Sequence, residues 1–145
     1  MHKDMVKVLF TALFSLLAIM AIISIIPFPI AYNLAESMES IVSASGAAQQ
    51  SLLAPWTSTT DLTIRLAGTV ITAVASLLAV LFVVMGRVKL FRIAASTSLI
   101  TYLAVDYNII WGSIIALDPF YGTMNLLYIA TAATFALSLA GKIRV

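Results

Sequence analysis

Apolar residues gather into four long blocks, residues 8–26, 62–85, 93–117 and 123–140, and most of the charged residues fall in the gaps between them. About 20 helical residues cross the roughly 30 Å hydrocarbon layer of a bilayer, so each block predicts a transmembrane helix. A signal peptide has a shorter apolar core of about 7 to 15 residues, so the first block is expected to stay as a span. Pro27 and Pro29 then stop that helix, since each lacks an N–H and restricts the residue before it.

Residues 30–61 form the longest predicted stretch outside the membrane. Leu34, Met38, Ile41 and Val42 recur at helical spacing while Glu36, Glu39 and Ser40 fall elsewhere on the wheel, which predicts an amphipathic helix at the membrane surface. Residues 43–50, rich in Ser, Ala, Gly and Gln, read as a link. Leu52, Leu53 and Trp56 suit the interface. Ser58 to Asp61 follows a relaxed capping-box pattern, with Asp61 four residues before Arg65, so the second span starts there. Within that span Gly68, Thr72, Ala75, Ser76 and Ala79 make a stripe of small residues that lets another helix backbone approach closely. Residues 86–92 predict a tight basic turn, and residues 118–122, Asp-Pro-Phe-Tyr-Gly, an aromatic turn at the opposite face.

With 145 residues, 62% hydrophobic and only 10% charged, the chain is too apolar for an ordinary soluble domain, where about 45 to 50% is usual. One integral membrane domain covering residues 1–145 is expected. The net charge of +2 rests on too few groups to imply a nucleic-acid partner. Cysteine is absent and the single histidine is His2, so neither a thiolate nor a histidine-built metal site is expected from this chain alone, and no cofactor is implied.

The basic residues set the expected topology. Across four spans, Lys3, Lys7, Arg87, Lys89, Arg92, Lys142 and Arg144 fall on one side and Arg65 alone on the other. The positive-inside rule places that side, with both termini, in the cytoplasm. The expected fold class is therefore an all-α membrane protein of the cell membrane, a four-helix transmembrane bundle with cytoplasmic N and C termini and a short external amphipathic helix between spans 1 and 2. Spans two and four both end in Gly, basic, β-branched, basic (residues 86–89 and 141–144). Duplication of a helical hairpin would produce this, and so would capping, dipole and topology rules acting separately.

Asp106 is the one charged residue deep inside a predicted span, which makes it the default functional candidate. Counted from the membrane faces, Thr72, Ser76, Thr131 and Thr134 lie near its level, and Tyr102 is one turn before it. No cation lies at that depth, which favours the neutral acid. Asn108, with Tyr107 and Trp111, adds a polar and aromatic patch. Asp106 can pin span three to its neighbours, pair with a basic residue of another subunit, or serve as a proton or cation site in a conducting path. Paired intramembrane acids, a Ser/His arrangement and a glycine-rich phosphate loop are missing from the sequence, so catalysis is not expected. The expected role is a noncatalytic structural or accessory subunit of a larger or self-associated membrane complex, with the bilayer and other membrane subunits or further copies as partners. The alternative is a homo-oligomeric proton- or cation-coupled transporter or channel using Asp106. A subunit of a membrane enzyme, its cofactor held mainly by partner chains, comes third. Fold-level likeness to other four-span proteins carries no function.

Overall fold

The computed structural model describes residues 3–26, 28–45, 59–116 and 119–145, with the backbone alone at 31, 35, 38, 39, 42–45, 59–62, 106–116, 119 and 121. Lys3–Ile25 form α1, Phe28–Ser45 α2, Thr59–Val84 α3, Val88–Ala116 α4 and Pro119–Leu139 α5, with no strand among the described residues. Four segments, Lys3–Leu34, Thr63–Val84, Val88–Val105 and Gly122–Leu139, are long and apolar enough to cross a membrane.

The four long helices pack as a ring, with α3 against α1 and α4, and α5 closing between α4 and α1. Helix α2 touches α3. On α1 the buried residues Val6, Phe10, Phe14, Leu17 and Ala21 repeat every three or four positions, which gives one face to the core and leaves the other apolar face outside. Near one end of the bundle Phe10 and Phe14 meet Phe91 edge-on, at centroid distances of 5.1 and 5.8 Å, and Phe135 joins them at 6.0 Å from Phe91. Such pairs contribute about 0.5 to 1.5 kcal/mol each beyond area burial.

Helix ends differ from the sequence expectation in three places. Pro29 does not hold the chain out of a helix; it lies in the first turn of α2, where its missing N–H has no intrahelical acceptor to lose. Pro119 likewise opens α5, so residues 119–122, read above as a turn, are already helical. The basic turn expected over residues 86–92 shrinks to 85–87, and Lys89 and Arg92 belong to the first turns of α4. Cations at a helix N-terminus oppose its dipole by about 0.3 to 1 kcal/mol each, a small cost at a wet boundary where long side chains reach water.

Gly86 and Gly141 have φ of 72° and 75°, the left-handed region that a β-carbon disfavours. Each closes the same pair of bonds: Gly86 N–H donates to Val83 O (3.2 Å) and Arg87 N–H to Phe82 O (2.9 Å), as Gly141 does to Ser138 O (3.2 Å) and Lys142 to Leu137 O (3.0 Å). Both are Schellman caps, which accounts for the glycine shared by the two helix ends.

Candidate functional site

The small-residue stripe on α3 faces inward. Thr72, Ala75, Ser76 and Ala79 are all buried, and Gly68 lies against Val105 of α4 so closely that a β-carbon there would overlap the valine side chain. About two turns further along, Ser76 Oγ and Ser98 Oγ share a hydrogen bond of 2.7 Å, and Ser98 also reaches Thr72 O at 3.5 Å. Thr72 returns its hydroxyl to Gly68 O at 2.9 Å, so it is satisfied within its own helix.

Between α4 and α5 lies a second polar layer. Tyr102 is at the middle of α4, and its O–H donates to Asn125 Oδ1 at 2.5 Å. The Tyr128 O–H donates to Leu99 O at 3.1 Å, and the two tyrosine rings stack at 4.5 Å and 23°. Tyr102, Asn125 and Tyr128 are all buried. Each phenol thus has a defined acceptor on the opposite helix. Intramolecular hydrogen bonds contribute about 0.5 to 1.5 kcal/mol each, so these two α4–α5 bonds together contribute roughly 1 to 3 kcal/mol.

These contacts fix the register and rearrange the expected site. Ser76 pairs with Ser98, Gly68 with Val105, and Tyr128 with Leu99. In an antiparallel bundle this puts the backbone at position 106 beside Gly68, away from Thr131 and Thr134, which fall near the first half of α4. The expectation failed because it started the helix at Ile93; the start at Val88 moves the midpoint back to Tyr102. Thr131 is buried and donates to Leu127 O at 2.7 Å, and Thr134 donates to Ala130 O at 2.7 Å, so both are satisfied locally. The side chains of Asp106 and Asn108 lie outside the described residues.

Asn125 and Tyr128 were not singled out from the sequence. The available signal was that Asn125 is the one amide in residues 123–140. Ser138 Oγ, near the other end of α5, is buried with no hydrogen-bond partner among the described residues. No group of three or more His, Cys, Asp or Glu among the described residues is placed to hold a metal ion.

Fold and site together define an all-helical protein with four membrane-length helices clamped by buried hydroxyls, phenols and an amide. Comparison with protein-family models, curated proteins and solved structures finds no match for this chain.

Proposed function

We propose that this chain is a multi-pass protein of the cell membrane, its four long helices crossing the bilayer with both termini cytoplasmic, and that it works as a noncatalytic subunit of a larger or self-associated complex. The observation that carries the reading is the distribution of polarity. The outer faces hold Leu16 and Ile19 on α1, Val74 and Leu77 on α3, Ile100 on α4 and Leu126 on α5, all exposed, while Thr72, Ser76, Ser98, Tyr102, Asn125 and Thr131 are turned inward. Apolar exterior on every long helix is far more than a water-soluble monomer tolerates.

Charge supports the orientation. Lys3 and Lys7 of α1 line one small cleft with Phe82, Gly86, Val88 and Val145, which gathers the start of α1, the α3–α4 turn and the last residues at one end of the bundle. Seven of the eight basic residues belong to these segments. Helix α2 leads away from the other end, with Glu36, Ser37 and Ser40 exposed beside the apolar Leu34 and Ile41, as suits an interfacial helix. The subunit role is supported by the bonds of Ser76 to Ser98, Tyr102 to Asn125 and Tyr128 to Leu99, which cross helix boundaries and so brace the bundle.

Two measurements test this. Extraction from native membranes in mild detergent at endogenous level should give a particle well above the 15.5 kDa chain; a stable lone monomer defeats the subunit reading. The chain has no cysteine, so a single Arg87→Cys variant reports topology cleanly. Labelling of that cysteine by an impermeant reagent in intact cells would overturn the orientation.

A further inference from the structure

Along the outer face of α4, Arg92, Ile93, Ser96, Thr97, Ile100 and Thr101 border an open groove of about 520 Å³. These residues form two adjacent rows at i, i+4 spacing, and their chemistry is graded along the helix. A guanidinium stands at the basic end, three hydroxyls occupy the next turns, and Ile93 and Ile100, 64% and 67% exposed, flank them. At 1.5 Å per residue, Ser96 lies about 6 Å and Thr101 about 13 Å below Arg92.

Thr97 donates its hydroxyl to Ile93 O at 2.9 Å, the usual way a helical threonine avoids facing hydrocarbon unpaired. Ser96 and Thr101, both half-buried, donate to no group among the described residues. Ser96 lies one turn below Arg92, the level of a lipid's ester carbonyls when its phosphate meets the guanidinium, and a hydroxyl facing lipid without an acceptor is costly. The occupant of the groove must therefore carry an anion at one end, acceptor oxygens a few ångströms below it, and hydrocarbon beyond. A second copy of this chain does not fit: a two-fold axis along the membrane normal would bring Arg92 against its own counterpart.

Resting on the membrane reading, we propose that this groove binds one anionic phospholipid. Arg92 holds the phosphate, Ser96, about one turn deeper, donates to an ester carbonyl, and Ile100, deeper still, packs along the acyl chains. Selection for a net negative headgroup comes from Arg87 and Lys89 at the same end of α4, whose residues 88–105 contain no acid.

Native mass spectrometry of the detergent-purified protein, titrated with phosphatidylglycerol or phosphatidylcholine, tests this. Wild type is expected to retain one phosphatidylglycerol in preference to phosphatidylcholine. Arg92→Gln should lower that retention by about fivefold. Lys142→Gln, outside the groove, should leave it unchanged. Ser96→Leu with Thr101→Leu fills the groove with carbon and should abolish retention; if that variant does not fold by circular dichroism, Arg92→Gln decides alone. Equal retention of both lipids, an unaltered Arg92→Gln, or a disulfide-linked dimer formed through Thr97→Cys in native membranes overturns the proposal. Recovery of the protein in the soluble fraction instead refutes the membrane reading beneath it, so the two failures are distinguishable.

Discussion

Gly68→Ala adds one carbon at the tightest point of the α3–α4 contact, where steric overlap competes with helix propensity. The new Cβ would stand 2.9 Å from both Cβ and Cγ1 of Val105 and nearer still to Cγ2, below any real carbon–carbon contact. Relief requires α3 and α4 to move apart, since Val105 is branched at Cβ and its χ1 is stiff. Overpacking of this kind costs about 1 to 3 kcal/mol, against about 1 kcal/mol gained by replacing glycine with alanine in a helix interior. Because the overlap reaches three atoms of one side chain, the upper part of that range applies. The net loss should be about 1 to 2 kcal/mol, a factor of roughly 5 to 30 in the folded-to-unfolded ratio. Reversible unfolding in mixed micelles, followed by far-UV circular dichroism, measures it. Val105→Ala removes the two methyls and should rescue Gly68→Ala in part, with a favourable coupling of about 1 kcal/mol in the double-mutant cycle. A Gly68→Ala protein as stable as wild type, or effects that add within about 0.5 kcal/mol, would refute the close-approach argument.

Tyr102→Phe should lower stability by about 0.6 to 1.7 kcal/mol, and Asn125→Ala should cost less in that background than alone; independent effects in the same unfolding assay would mean the bond to Asn125 is not a shared interaction. Ser138→Ala removes a buried hydroxyl with no partner among the described residues and is expected to stabilise by about 1 kcal/mol, so a clear loss would reveal a partner for Ser138. Asp106→Asn should leave proton and cation flux into liposomes unchanged from wild type, and a wild-type flux that the substitution abolishes would replace the subunit reading with the transport one.

How much of this was legible from the residues depended on whether the signal was local. The α3 stripe could be read because small residues at helical spacing mark one face whatever packs on it, and the Leu34 to Ile41 pattern marked α2 for the same reason. The caps at Gly86 and Gly141 were announced by glycine followed by a basic residue. Pairing between helices was not legible, because it depends on register, and register depends on where each turn ends. Treating Lys89 and Arg92 as turn residues displaced the centre of α4 from Tyr102 to Asp106, and treating residues 118–122 as a turn hid Asn125 as the partner of Tyr102. Charged and prolyl residues are poor guides to helix ends where long side chains reach water from within the first turn and proline fits there.

The reversal at residues 85–87 also bears on how the chain enters a bilayer. In the topology proposed above, a link so brief would leave α3 and α4 no means of being threaded separately, and they would enter as one prong, the outgoing arm and the returning arm together. Arg87, Lys89 and Arg92 sit at its bend and, under that topology, would stay on the side where the ribosome is and set the direction of both arms in a single event. Inverting the pair afterwards would mean dragging three cations through hydrocarbon at once.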